Sequence, residues 1–94
     1  MHMTERAFLG EWRQVKPDPA PECVTISFEQ AGRLTYTVHG GTIQHILLTW
    51  RIDGDQIITD QPSAPAEETT RFRFAAPDRL ILERDSEQYV YVRI

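Results

Sequence analysis

Two histidines are the side chains with the most versatile chemistry, and they lie close together in the chain. His39 and His45 flank Gly40-Gly41, a pair typical of a tight hairpin, so the two imidazoles could meet across it. A zinc or other transition-metal site needs a third ligand in matched geometry. No acidic residue or cysteine stands at a spacing typical of such a site, so the sequence predicts no metal centre and favours two polar hairpin residues.

Other reactive side chains lack the partners that catalysis requires. Ser63 lies outside the Gly-x-Ser-x-Gly pattern of a nucleophile elbow, and Cys23 has no patterned histidine partner. Glu67 and Glu68 are adjacent, so on a strand they point to opposite faces and do not suit paired acid–base chemistry. The segment 53–55, Asp-Gly-Asp, lacks the further oxygen ligands of a calcium loop and is typical of a hairpin turn. The sequence therefore predicts no catalytic residue and favours a non-enzymatic role, although it leaves enzymatic activity open.

Aromatic side chains are the stronger candidates for a binding function. Ligand pockets are typically apolar cavities of about 300–1,000 Å³ with a few convergent polar groups. The predicted ligand-binding residues are Tyr36, Trp50, Phe72, Phe74 and Tyr91. The alternative is that these side chains fill a narrow barrel, because a large cavity removes packing that a small domain needs.

The elements that must position these residues are short strands joined by turns. Thr4 is a candidate helix cap, and residues 4–9 could form a short helix that Gly10 ends. Apolar and polar residues then alternate in segments at a spacing of about 8–12 residues, as expected for strands joined by hairpin turns. The predicted strands are residues 11–16, 23–29, 33–39, 42–52, 55–59, 68–74, 79–84 and 87–94.

This order of elements predicts one all-β domain over residues 1–94. We expect an antiparallel up-and-down meander that closes into a small barrel of about eight strands, preceded by a short N-terminal helix. Closure removes exposed sheet edges, and eight strands enclose an interior that side chains just fill. In the longest strand, Ile43 and Leu47 fall on the face opposite to the other aliphatic residues, so we expect a β-bulge near Gln44-His45 or a second buried surface. We interpret His2-Met3 as a cloning remnant.

The start of the chain resembles a known group of barrels. Gly10-Glu11-Trp12, after a short helical segment, resembles the first signature of the lipocalins and their calycin relatives. The preceding Phe8 resembles the Phe-x-Gly-x-Trp start of fatty-acid-binding proteins, and residues 49–55 resemble the strand-turn-strand of small bacterial lipocalin-like domains of unknown function. The resemblance implies a lipocalin-like barrel. Together with the aromatic side chains, this makes binding of a small apolar or aromatic ligand inside the barrel the leading functional hypothesis.

The same resemblance implies a structural role for three residues at one end of the barrel. Gly10 would permit a sharp turn, and Trp12 would close the barrel base. A basic residue of the last strand, Arg93, would pack across the indole, with Arg84 of the preceding strand as the substitute.

A second aliphatic face supports a rival interpretation, a protein-interaction or homodimeric assembly module with a packed barrel. If the tyrosines of the last strand face inward, its aliphatic side chains face outward and could join others in a patch larger than the about 300–600 Å² that a monomer usually exposes. A twofold dimer is the commonest way to bury such a patch. The residues of this predicted face are Ile43, Leu47, Ile57, Ile81, Val90, Val92 and Ile94.

Composition limits the possible partners. The 94 residues carry a net charge of −4 with acidic and basic residues interleaved, which argues against a nucleic-acid partner. A single cysteine excludes an intrachain disulfide, and no Gly-rich phosphate loop or dinucleotide fingerprint predicts a cofactor. The longest aliphatic run, residues 46–48, is too short to span a membrane, and no signal peptide is evident, so we expect a cytoplasmic protein.

The predicted role of Trp12 can be tested by truncation. Trp12→Ala is expected to lower the free energy of unfolding by about 3–5 kcal/mol, because it removes a large side chain from the predicted barrel base. Chemical denaturation of the two proteins measures the difference. An unchanged midpoint would mean that Trp12 does not close the barrel.

Overall fold

A computed structural model of the protein describes residues 3–94 and confirms the predicted fold class. Eight antiparallel strands follow one another around a closed barrel in chain order, after one short helix. The elements are α1 (Met3–Phe8), β1 (Gly10–Lys16), β2 (Cys23–Glu29), β3 (Arg33–His39), β4 (Ile43–Asp53), β5 (Gln56–Asp60), β6 (Glu68–Ala76), β7 (Arg79–Arg84) and β8 (Glu87–Arg93). The helix begins one residue before the expected cap, Thr4, and the proposed cloning remnant at His2 lies outside the described residues.

Alternation of apolar and polar residues sets which face of each strand points inward. In β2, Val24, Ile26 and Phe28 are buried while the residues between them are partly exposed. The barrel closes where β1 pairs with β8, with Trp12 opposite Arg93. In such a closed meander, successive connections lie at alternate ends, so one end can be plugged while the other stays open.

The expected bulge near Gln44-His45 is wrong. The β3–β4 ladder is regular from its first pair to its last, and Ile43 and Leu47 are 61% and 66% exposed, so they form no second buried surface either. The register shifts lie elsewhere, between Gln14 and Lys16 in β1 and between Phe74 and Ala76 in β6. The connection after β3 is also longer than predicted, because His39 pairs with Ile43 and leaves three residues between the strands.

The predicted second aliphatic face is not one surface. Ile57 is 2% exposed and points into the barrel with the core. β4 lies four strands from β8 in either direction around the barrel, so Ile43 and Leu47 are on the wall opposite Val90 and Val92. Linear periodicity separates the two faces of a strand, but it does not show which face of a short strand such as β5 is inside, nor which wall of a closed barrel carries the outward side chains.

Phe8 fills the base of the barrel. Its ring is fully buried, and four other aromatic rings surround it with centroid distances of 4.9–5.6 Å. The angles between ring planes are 51–77°, the tilted and edge-on arrangements that aromatic pairs prefer. The surrounding rings are Phe28, Trp50, Phe72 and Phe74.

Trp12 and Arg93 fasten the helix to this base. The buried indole of Trp12 donates a hydrogen bond from Nε1 to the carbonyl of Phe8 at 2.8 Å. Arg93 donates from Nη1 to Leu9 O and from Nη2 to Ala7 O, each at 2.7 Å. Its guanidinium carbon also lies 4.2 Å from the Trp12 ring centroid, a cation–π arrangement. The last carbonyls of a helix have no partner within the helix, and these two side chains supply donors to them.

Gly10 makes this arrangement possible, and its replacement is a sharp test. Its φ of +117° is a conformation that side chains with a Cβ rarely adopt, and a Cβ there would lie 2.9 Å from Arg93 Nη1. We expect Gly10→Ala to lower the free energy of unfolding by about 1–3 kcal/mol.

Gly41→Ala is the matched control. Gly41 lies outside the left-handed region, and a Cβ there would meet no atom within 4 Å. The free energy of unfolding of Gly41→Ala, measured by chemical denaturation, should stay within about 0.5 kcal/mol of that of the parent protein. Equal losses for the two variants would contradict a specific requirement at Gly10.

Candidate ligand-binding cavity

An apolar cavity of about 150 Å³ lies inside the barrel above the aromatic base. Phe28 belongs both to the ring cluster around Phe8 and to the cavity wall, so it forms part of the cavity floor. The remaining apolar wall consists of aliphatic side chains and two tyrosine rings. These residues are Ile26, Leu34, Tyr36, Leu48, Ile57, Leu82 and Tyr91.

Polar side chains lie at the rim of this cavity. Arg84 and Glu68 form an ion pair there, with 2.6 Å between Nη1 and Oε1. Their side chains are 48% and 58% exposed, so the pair lies at the boundary between the cavity and water. The other polar groups of the lining are hydroxyls, those of Thr59, Thr70, Tyr36, Tyr89 and Tyr91.

The tyrosines at the cavity stay protonated well above neutral pH. Burial raises the pKa of Tyr91, whose ring is 3% exposed and whose hydroxyl donates to Gln14 Oε1 at 3.3 Å. Burial also raises the pKa of Tyr36. The pKa of Tyr89 is raised by its hydrogen bond to the Glu87 carboxylate, at 3.0 Å. Each of these hydroxyls is therefore a hydrogen-bond donor under ordinary conditions.

Two of the five predicted ligand-binding residues line the cavity. Tyr36 and Tyr91 do, whereas Trp50, Phe72 and Phe74 pack around Phe8 in the base. Trp50 is 7% exposed, and its indole Nε1 donates to Glu29 O at 3.2 Å. All five face inward as expected, but they lie at different heights along the barrel axis. Height depends on strand tilt and stagger, which alternation does not specify.

The rim ion pair was missed, although the sequence contains a signal for it. Arg84 shares a strand face with Leu80 and Leu82, and Glu68 shares one with Thr70 and Phe72, because residues two apart point the same way. Each is the inward-facing position nearest the rim, Glu68 at the start of β6 and Arg84 at the end of β7. Arg84 was expected as a substitute for Arg93 at the base, but it lies at the opposite end of the barrel, because β7 runs from the base to the rim.

The other candidate reactive groups form separate, small contacts. His45 Nδ1 lies 3.1 Å from Thr37 Oγ1 on the outer surface, and His39 pairs across the ladders with Cys23 and Ile43. Within residues 3–94, no three side chains of histidine, cysteine, aspartate or glutamate come close enough to hold a metal ion. Glu67 points away from Glu68 and pairs with Arg51 at 3.3 Å.

Comparison with known proteins gives no family for this chain. No protein-family model, curated protein or solved structure matches it. Among residues 3–94, no helix has the length and apolar character needed to cross a membrane.

The buried hydroxyl of Tyr91 predicts a loss of stability in alkaline solution. An unfolded tyrosine ionises near its usual pKa of 10.0, whereas the folded protein holds Tyr91 protonated to higher pH. Above pH 10 the unfolded state therefore binds fewer protons than the folded state, and the free energy of unfolding falls by up to about 1.4 kcal/mol per pH unit for this group. Below pH 10 this stabilisation is fully retained.

The measurement is chemical denaturation between pH 9 and about pH 11.5, with Tyr91→Phe as the test variant. In Tyr91→Phe, the free energy of unfolding should fall less steeply above pH 10. An alkaline absorbance titration of this variant should lack the tyrosine that ionises at the highest pH. Tyr89→Phe is the comparison: the pKa of Tyr89 is also raised, but by an exposed hydrogen bond to Glu87, so its removal should reduce the alkaline decline less than Tyr91→Phe does. A decline of the same steepness in Tyr91→Phe would show that other groups cause it.

Proposed function

We propose that the protein is a small lipocalin-like barrel that binds a compact apolar or aromatic molecule in its cavity. The observation that carries this proposal is the distribution of polarity: the wall is apolar, and charged groups occur only at the rim. This is the usual form of a small-molecule site, in which apolar surface supplies affinity and a few polar groups orient the ligand. The lipocalin-like assignment is supported by the Gly10-x-Trp12 start and by Arg93 lying over the indole.

The size of the cavity restricts the ligand to about one ring or a short chain. The volume of about 150 Å³ is below the usual range for drug-sized ligands. Dry apolar cavities of about this size hold a single benzene molecule in other proteins. The base occupied by Phe8 and its neighbours leaves no space for a long acyl chain. The part of the ligand that enters the cavity is therefore about one six-membered ring.

Cavity filling tests the proposal, and adjacent positions on β4 provide a matched pair. Leu48 lines the cavity, whereas Leu47 points outward and is 66% exposed. Toluene should bind the parent protein saturably, with a Kd of about 0.1–1 mM for a ligand of this size. Leu48→Trp should abolish the binding, because the indole would occupy the cavity. Leu47→Trp should leave it unchanged.

Amide chemical shifts during an NMR titration report both affinity and place. The expected shifts are those of Ile26, Leu34 and Ile57, which surround the cavity. Absence of saturable shifts in the parent protein would overturn the proposal. Equal binding by the two tryptophan variants would place the ligand outside the barrel and would overturn it as well.

A further inference from the structure

At the rim of the cavity, one carboxylate is already bound to one guanidinium. Glu68 Oε1 accepts a hydrogen bond from Arg84 Nη1 at 2.6 Å, and both side chains belong to the cavity lining. In the described part of the chain, Arg84 is the single cation among the residues that line this cavity. The structure thus shows what chemical group Arg84 binds at this place.

We propose that the ligand of this cavity is a small amphipathic carboxylate, and that its carboxylate displaces Glu68 from Arg84. The inference rests on the proposed function and names the class of molecule bound. The apolar part of such a molecule would enter the cavity, and its anionic end would stay at the boundary with water. An arginine presents several N–H donors in a planar fork, which matches the two oxygens of a carboxylate.

The position of the two charged residues favours an exchange in this direction. Glu68 is the first residue of β6 and the more exposed of the pair, so its carboxylate can turn into water when it is displaced. Arg84 ends β7 at the cavity rim, and its positive charge lies close enough to influence the ionisation of Tyr36, Tyr89 and Tyr91. The Tyr36 hydroxyl remains protonated and can donate to an incoming carboxylate, whereas the hydroxyls of Tyr89 and Tyr91 already donate to Glu87 and Gln14.

The energetic cost of the exchange is small. Exposed ion pairs contribute little to stability, about fivefold at most in an equilibrium constant, because water screens the charges and two long side chains lose freedom. Displacement of Glu68 therefore costs the protein little stability. The ligand gains a guanidinium partner for its carboxylate while its ring stays in the cavity. Glu68 acts as an internal competitor that lowers the affinity for weak anions.

Benzoate and benzamide test the inference, since they share a ring and differ in charge. In isothermal titration of the parent protein, benzoate should bind more tightly than benzamide. Glu68→Gln should raise the affinity for benzoate by up to about fivefold, because it removes the competing carboxylate. Arg84→Gln should lower the affinity for benzoate about tenfold, as expected for loss of a hydrogen bond to a charged group. Benzamide should change by less than about twofold in both variants.

A second ion pair supplies the control. Glu67 is adjacent in sequence but pairs with Arg51 outside the cavity, at 3.3 Å. Glu67→Gln changes the net charge by the same amount and should leave the benzoate affinity unchanged. Arg84→Lys retains the charge without the planar fork and should weaken benzoate binding less than Arg84→Gln does. Amide spectra of each variant verify that the barrel is intact.

The possible outcomes separate this inference from the proposed function. If benzamide and benzoate bind equally and neither variant changes the ratio, the ligand site stands and the carboxylate inference is wrong. If benzylamine binds more tightly than both and is weakened by Glu68→Gln, the site prefers a cation and the inference is overturned. If none of the three binds the parent protein while toluene does, the proposed function stands and the carboxylate inference is overturned. If toluene also fails to bind, both are overturned.

Discussion

The hydrogen bonds at the end of α1 are the constraint on which the remaining structure depends. Three successive carbonyls, of Ala7, Phe8 and Leu9, accept from Trp12 and Arg93 at 2.7–2.8 Å. A six-residue helix has little stability of its own, so these contacts and the burial of Phe8 hold it in place. Because Trp12 and Arg93 face each other across the β1–β8 ladder, the strand pair that closes the barrel also carries the side chains that close its base. The hydrogen bonds from Arg93 to Ala7 and Leu9 connect residues more than 80 positions apart. They act on the same helix end as the hydrogen bond from Trp12 to Phe8, which spans four residues.

The closed base decides where a ligand can bind. Phe8 and the rings around it occupy the lower part of the barrel, so the interior that remains is short and lies toward the other end. A 94-residue domain has little packing to spare, because small domains bury a smaller fraction of their surface than large ones. The cavity is accordingly the size of one ring. The aromatic base and the small cavity are two consequences of the same limited core.

Much of the fold could be predicted from alternation and turn residues, whereas the site could be predicted only in part. β2, β3 and β7 begin and end where the sequence indicates, because each has apolar residues at every second position between turn residues. The bulge or buried surface predicted from Ile43 and Leu47 is wrong, since aliphatic residues on an outer strand face need no buried partner. The separation of Tyr36 from Trp50 along the barrel axis could not be predicted, because it depends on the stagger between strands around the whole barrel.

The charges at the rim support a binding role better than a structural one. The three ion pairs formed within residues 3–94 are all about half exposed or more, so none contributes much to stability. Two of them, Arg51–Glu67 and Arg71–Asp55, join outward-facing side chains and have no effect on the interior. Arg84 and Glu68 instead occupy inward-facing positions, where an apolar or small hydroxyl side chain would extend the core by another layer. Stability does not explain charged residues there, whereas the proposed binding of a ligand in the cavity does.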